Sequence, residues 1–143
     1  MVAGARAAEL SPAAETALER YGLHLGVAFQ AVDDELDYAA SGTGKDALAD
    51  LREGKVTFPL VVALERDAAL GPRLEELMAQ ESVTGDALAS IAQQVRACGA
   101  LAATRALAEE HVQRALGVLE ELPAGAAREA LVTVALASLE RTS

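Results

Sequence analysis

One amphipathic helix constrains the fold of this chain more than any other feature of the sequence. Residues 21–38 read YGLHLGVAFQAVDDELDY, and at about 100° per residue a helix gathers their small apolar side chains on one side. This side carries Val27, Ala28, Ala31 and Val32. Such a stripe packs against other helices in a core. The sequence therefore predicts a core helix that begins at Pro12, with Ser11 as its cap, and ends at Asp37 or Tyr38.

The other side of the same helix carries glycines, which have no side chain, together with residues whose side chains contain oxygen. Within about 60° of Asp33, an ideal helix places Gly22, Gly26, Gln30 and Asp37, whereas Asp34 lies about 100° away. A glycine inside a helix costs about 1 kcal/mol relative to alanine. Two glycines on the carboxylate side indicate that another group approaches this backbone closely.

The three aspartates are the candidate metal ligands and catalytic residues. Two like charges 4 Å apart cost on the order of 4 kcal/mol at an effective dielectric constant of about 20, and a cation removes this cost. Mg²⁺ prefers oxygen ligands and binds through one or two carboxylates plus substrate phosphates. Asp33, Asp34 and Asp37 are therefore predicted to hold Mg²⁺. Taken alone, the D-D-x-x-D pattern is better explained as a solvated acidic helix end.

The two lysines of the chain favour the metal site over the solvated helix end. Lys45 and Lys55 follow the aspartates, and every other basic side chain apart from the histidines is arginine. Lysine binds phosphate as a point charge. Glycines at positions 42, 44 and 54 allow the chain to bring both lysines back toward the aspartates. Carboxylates and lysines together predict a diphosphate site.

Composition restricts both the fold class and the partners. Hydrophobic residues make up 52% of the 143-residue chain but aromatic residues only 3%, so the core must consist of Ala, Leu and Val. These residues favour a single all-α helical unit over strands. The net charge of −10 argues against nucleic acid as a partner, because phosphate backbones require a basic patch.

The sequence also restricts the compartment. Cys98 is the single cysteine, which excludes an internal disulfide and fits a reducing environment. No apolar run reaches the roughly 20 residues that span a bilayer, and residues 1–10 have no apolar core of a signal peptide. We expect a cytoplasmic protein.

Residues that typically start or end helices divide the remainder of the chain into further helices. The segment before Ser11 reads as the tail of a preceding helix, and 46–52 as a short helical turn. Leu70-Gly71-Pro72 is interpreted as a break. The other predicted helices are 57–67, 73–80, 84–98, 100–121 and 126–140.

The central motifs resemble a known family. The order G-x-x-x-G-x-A-F-Q-x-x-D-D-x-x-D-Y, then G-K, then D-L-x-E-G-K-x-T-x-P resembles the second aspartate-rich region of the trans-polyprenyl diphosphate synthases. The resemblance implies an all-α bundle around a central cavity. It also implies head-to-tail condensation of isopentenyl diphosphate with an allylic diphosphate, assisted by Mg²⁺.

The same resemblance assigns roles to individual residues. It implies that Asp33 is the main metal ligand, with Asp34 and Asp37 binding directly or through water. Lys45 and Lys55 would hold diphosphate oxygens. Gln30 would contact the diphosphate or the carbocation, and Phe29 would line the prenyl cavity, although Phe29 is equally well explained as core.

The resemblance covers only the carboxyl-terminal half of such a synthase. The first aspartate-rich motif has no counterpart here, so we expect the chain alone to be inactive and to pair with itself or with an amino-terminal half. Two alternatives stay open. One is a non-catalytic helical subunit of a heteromeric synthase, and the other is a class I terpene cyclase fragment, whose second motif generally reads N-D-x-x-S-x-x-x-E.

Three further residues receive no chemical role from the sequence. Glu35 stands where the family usually has an aliphatic residue and is expected to face a partner helix or solvent. His24 is interpreted as a helix-packing histidine. His111 is expected on the exposed side of its helix.

Overall fold

The computed structural model describes residues 11–39, 49–80 and 83–140. These ranges contain seven α-helices and no strand, which confirms the all-α prediction. The helices are α1 (Pro12–Ala39), α2 (Ala49–Arg52), α3 (Phe58–Arg66), α4 (Leu70–Met78), α5 (Gly85–Ala97), α6 (Ala100–Leu119) and α7 (Ala126–Ala137).

Two helices begin at a side chain that caps them, and the cap at Ser11 was predicted. The Ala14 N–H donates to Ser11 Oγ over 3.3 Å at the start of α1. Likewise the Ala87 N–H donates to Thr84 Oγ1 over 3.3 Å at the start of α5. Both bonds satisfy a backbone donor that has no acceptor inside its helix.

The predicted break at residues 70–72 is wrong, because α4 begins there. Pro72 lies in the first turn of α4, where a missing N–H removes no helical hydrogen bond. The predicted ends of α6 and α7 are two and three residues too late. The predictions for residues 1–10 and 40–48 lie outside the described residues.

The chain divides into two compact units, and α1 and α6 each contribute residues to both. Of the described residues, 11–32 and 106–140 form the first unit. Its core contains Ala17, Tyr21, Ala28, Val112, Ala115, Val118, Leu119 and Ala135. The Tyr21 hydroxyl donates to the Leu131 carbonyl over 2.7 Å, so a buried polar group of this core is satisfied.

The second unit comprises residues 33–105 and contains the acidic end of α1 with α2 to α5. Its core is richer in leucine, with Tyr38, Leu51, Leu60, Leu70, Leu77, Leu88, Ile91 and Val95 among its members. Arg66 at the end of α3 donates to the Cys98 carbonyl over 2.9 Å, at the end of α5. Gly99 has φ +75°, and a Cβ there would lie 3.1 Å from the Arg66 guanidinium. The glycine therefore provides both the turn and the room for this contact.

Within the described ranges, none of the helices has the length and apolar content needed to cross a bilayer.

Candidate functional site

The carboxyl-terminal part of α1 presents its three aspartates differently. Ala28, Ala31 and Val32 are buried, as the helical periodicity predicts. Asp33 and Asp37 are partly buried, whereas Asp34 has only 6% of its surface exposed. Helical geometry explains the difference, because Asp34 lies about 100° from Asp33 and nearer to the apolar side.

Asp34 is engaged at the start of another helix. Its Oδ2 accepts a hydrogen bond from the Phe58 N–H over 3.1 Å. Thr57 is the residue that precedes α3, but its side chain makes no capping hydrogen bond. Asp34 therefore performs the capping that the local sequence assigned to no residue.

The predicted metal role of the three aspartates stays a prediction. In the described part of the chain, no group of three His, Cys, Asp or Glu side chains is arranged to hold a metal ion. The last turn of α1 contains Asp37 and no basic residue. A helix carries partial negative charge at its carboxyl end, so a carboxylate there gains from a nearby cation.

Arg96 supplies one positive charge to this end of α1. Its Nε donates to the Tyr38 carbonyl over 2.7 Å. The Tyr38 ring is fully buried, and among the described atoms neither its hydroxyl nor that of buried Thr57 makes a hydrogen bond of acceptable geometry. Burial raises the pKa of Tyr38, an effect that the neighbouring Thr57 hydroxyl partly offsets.

Lys55 lies on the surface beside two carboxylates. Its ammonium is 2.7 Å from Asp50 Oδ1 and 2.9 Å from Glu53 Oε2, and 57% of the side chain is exposed. The hydrogen bond to Asp50, followed by that to Glu53, raises the pKa of Lys55. Lys55 therefore stays protonated at neutral pH. Lys45 lies outside the described residues.

The predicted substrate contacts on α1 face outward in the first unit. Gln30 is exposed, and Phe29 has 44% of its surface exposed. A Cβ built at Gly26 would have no described atom within 4 Å, so packing among these residues does not demand a glycine there. The proposal that a ligand approaches this backbone remains a prediction.

The structure gives partners to the residues that the sequence left without a role. Glu35 lies 3.5 Å from Arg105 Nη1 in the second unit. In the first unit, His24 Nδ1 is 3.2 Å from His111 Nδ1, so the prediction of an exposed His111 is wrong. The pKa of His24 is lowered, first by burial and then by the nearby positive charges of His111, Arg114 and Arg20. Helical periodicity places each histidine on its own helix but cannot pair two distant helices.

Comparisons with known proteins agree with this architecture. The octaprenyl diphosphate synthase of Escherichia coli is 36% identical over 133 residues, which cover 92% of this chain and 41% of that enzyme. The polyprenyl synthase of Caulobacter crescentus, solved with calcium and isoprenyl diphosphate, is 36% identical with a TM-score of 0.87. That match covers 99% of this chain and 44% of the other.

A third protein supports the same assignment. The decaprenyl diphosphate synthase of Rhodobacter capsulatus is 30% identical with a TM-score of 0.87, covering 97% of this chain and 44% of the other. The chain thus spans about two fifths of the length of the relatives it matches. The sequence profile described as Polyprenyl synthetase matches residues 1–95. Two thirds of the chain thus carry the pattern of one family, and the chain belongs to the polyprenyl synthetase family.

Proposed function

We propose that this chain forms the part of a Mg²⁺-dependent trans-prenyltransferase that carries the second aspartate-rich motif. Such an enzyme condenses isopentenyl diphosphate with an allylic diphosphate and releases inorganic diphosphate. The observation that carries the proposal is the pair Asp33 and Asp37, one turn apart on α1, in a chain of the polyprenyl synthetase family. The names of the relatives, which are polyprenyl diphosphate synthases, support the same reaction class.

The carboxylate pair fits a hard divalent cation. Asp33 and Asp37 are partly buried and repel each other on one helix face, and Asp37 lies in the last turn of α1, where the helix end is negative. Mg²⁺ binds through one or two carboxylates and leaves its other positions to water and phosphate oxygens. Bound there, the ion would offset the charge that develops on the leaving diphosphate. Calcium in the Caulobacter crescentus structure supports an oxygen-bound cation.

The lysines and the outward side chains of α1 would bind the substrate. An ammonium has three N–H donors, so Lys55 can keep Asp50 and Glu53 and still donate to a diphosphate oxygen. Lys45 is proposed to do the same. Gln30, one turn before Asp33, would contact the diphosphate or the carbocation, and Phe29 would line the prenyl cavity.

We further propose that the chain alone does not make polyprenyl diphosphate. Asp33 and Asp37 hold a metal from one side, whereas the reaction requires substrate and metal fixed together, and such positioning provides much of the rate. Association with an amino-terminal half or with a second copy is proposed to complete the site. A cytoplasmic location belongs to the same proposal, and Cys98 is a free thiol, which fits a reducing compartment.

Calorimetry tests the site directly. Mg²⁺ should bind the 143-residue chain weakly alone and more tightly in the presence of inorganic diphosphate, because most coordination positions remain for the anion. Asp33→Asn should abolish this enhancement. Glu35→Gln is the matched control, since it removes one negative charge from the same helix but lies beside Arg105. Equal Mg²⁺ affinity with and without diphosphate would contradict the proposed site.

A complementation assay tests the reaction. The chain is mixed with a separately expressed amino-terminal half of the Escherichia coli octaprenyl diphosphate synthase, and incorporation of labelled isopentenyl diphosphate is measured. We expect condensation with the mixture and none with either part. Metal–diphosphate binding without condensation would instead favour a non-catalytic subunit. Clear activity of the chain alone would show that it contains a second metal site.

A further inference from the structure

The backbone of the segment that carries Lys55 is hydrogen-bonded to α2. Gly54 adopts φ +71°, a conformation that favours glycine, and its N–H donates to the Leu51 carbonyl over 3.2 Å. The Lys55 N–H donates to the Asp50 carbonyl over 2.9 Å, and Leu51 is buried with 1% exposure. The backbone of Lys55 is therefore held at the end of α2.

The same segment is hydrogen-bonded to α1 at Phe58, three residues after Lys55. Thr57 is extended, with φ −98° and ψ 162°, and the first turn of α3 then needs acceptors for its N–H groups. Pro59 has no N–H, and Asp34 accepts the N–H of Phe58 over 3.1 Å. The donor and acceptor come from residues 24 positions apart.

The position of Asp34 makes this hydrogen bond relevant to the proposed site. Asp34 follows Asp33 directly and precedes Asp37 by three residues on one helix. A contact from Asp34 to Phe58 therefore ties the segment carrying Lys55 to the helix that carries the proposed metal ligands.

Asp34 is also poorly placed to bind a metal ion from solution. It has 6% of its surface exposed, and Oδ2 is engaged with Phe58. A carboxylate at a helix amino terminus is further stabilised by the partial positive charge of that end. Burial, hydrogen bonding and helix charge thus all direct Asp34 toward α3.

We propose that Asp34 is a positioning residue, which holds residues 54–58, and with them Lys55, against the acidic end of α1. This inference rests on the proposed function, because Lys55 and the pair Asp33 and Asp37 are taken to bind one Mg²⁺–diphosphate. It differs from the sequence-based expectation that Asp34 is itself a metal ligand. In the substrate complex, Asp34 acts through the backbone of Phe58.

Amide hydrogen exchange of Phe58 in the 143-residue chain measures the hydrogen bond from Phe58 to Asp34 directly. Asp34→Ala removes the acceptor, and the Phe58 amide should exchange about fivefold faster or more, the effect of losing a helix cap. Asp34→Asn retains a carbonyl acceptor and should restore part of the protection. Glu35→Gln, the neighbouring control, should leave Phe58 unchanged.

Calorimetry with Mg²⁺ and inorganic diphosphate measures the consequence. Binding by Asp34→Ala should weaken about fivefold or more, and Asp34→Asn should recover affinity in step with Phe58 protection. Asp33→Asn should lose binding while Phe58 stays protected. This contrast separates a positioning residue from a ligand.

The two measurements together decide the proposal. If either Asp34 variant loses Mg²⁺–diphosphate binding while the Phe58 amide stays protected, Asp34 is a ligand and the proposal is overturned. Faster Phe58 exchange with normal binding would also overturn it. If Asp34→Ala does not fold, the same comparison is made with Asp34→Asn. If the unaltered chain fails to bind Mg²⁺–diphosphate, the proposed function fails separately, and normal Phe58 exchange in the Asp34 variants would still refute the tie.

Discussion

The two units of the chain are stabilised in different ways. Four of the eight buried core residues described for the first unit are alanines, and they lie on α1, α6 and α7, of which α1 and α6 are the longest helices described. In the second unit, α2, α3 and α4 have nine residues or fewer, and leucines lie between its helices. Short helices have a larger share of unsatisfied end groups. Accordingly, contacts at helix ends recur in the second unit, from Asp34 to Phe58, Arg96 to Tyr38 and Arg66 to Cys98.

This difference indicates which kind of contact each unit depends on. Small side chains let helices approach closely along their length, so the first unit depends on shape. The second unit, which holds the aspartates and Lys55, depends on individual polar contacts that fix helix ends. The proposed metal site thus falls in the unit with directional contacts.

The largest expected effect comes from equal truncations in the two cores. Leu88→Ala in the second unit and Leu119→Ala in the first remove side chains with 1% and 0% exposure. Each should lower the free energy of unfolding by about 2–5 kcal/mol. Leu88 shares its core with the short helices α3 and α4, which can shift to fill a cavity more readily, so we expect the smaller loss for Leu88→Ala. Urea denaturation measures both, and the reverse order would break the comparison.

Two buried tyrosines test the polar contacts. Tyr21 donates to the Leu131 carbonyl, whereas the Tyr38 hydroxyl has no hydrogen bond of acceptable geometry among the described residues. Tyr21→Phe should therefore cost about 1 kcal/mol, and Tyr38→Phe should be close to neutral or stabilising. Thermal unfolding of the two variants provides the measurement. A larger loss for Tyr38→Phe would show that its hydroxyl bonds the neighbouring Thr57 hydroxyl.

The histidine pair makes the first unit sensitive to pH. Because the pKa of His24 is lowered in the folded state, the unfolded chain binds more protons once the pH falls below about 6.5. Stability is then fully present above pH 6.5 and is lost as the pH falls through the lower folded pKa. The nearby charges of Arg20 and Arg114 act in the same direction as burial.

Urea midpoints between pH 7.5 and pH 5 measure this loss. His24→Gln should flatten the pH dependence, because Gln does not titrate in this range. An unchanged slope in that variant would assign the effect to the carboxylates instead.

The smallest effect on stability is expected at Lys55. Its contacts with Asp50 and Glu53 are exposed, so Lys55→Ala should leave the unfolding midpoint unchanged within error. Binding of Mg²⁺–diphosphate should nevertheless weaken roughly tenfold, since a charge-assisted contact is lost. Lys55→Arg should restore part of this affinity, because a planar fork differs from a point charge. Normal diphosphate binding by Lys55→Ala would contradict the role of this lysine.

Much of the fold could be predicted from short stretches of sequence. Ser11 and Thr84 identify helix starts because a cap bonds an amide only three residues away. The buried face of α1 follows from its period for the same local reason. The break predicted at Pro72 failed because proline is compatible with a first helical turn as well as with a loop.

The sequence names the residues of the candidate site, whose role in binding metal and diphosphate stays a prediction, but it does not show which other residues they contact. The spacing of Asp33 and Asp37 indicates a carboxylate pair without any knowledge of the fold. The spacing also shows Asp34 about 100° away, yet it cannot reveal that a helix begins opposite it. Hence the sequence grouped three aspartates into one role, and the structure separates the buried one.

By itself, the sequence determined most of the helices, the apolar face of α1 and the spacing of the carboxylates at its acidic end, because each depends on neighbours within one or two turns. Only the tertiary structure decided which distant groups meet. Asp34 meets Phe58, His24 meets His111, and Arg96 meets the Tyr38 carbonyl, across separations of 24, 87 and 58 residues. Such pairs depend on how helices pack, and helical periodicity carries information about one helix at a time.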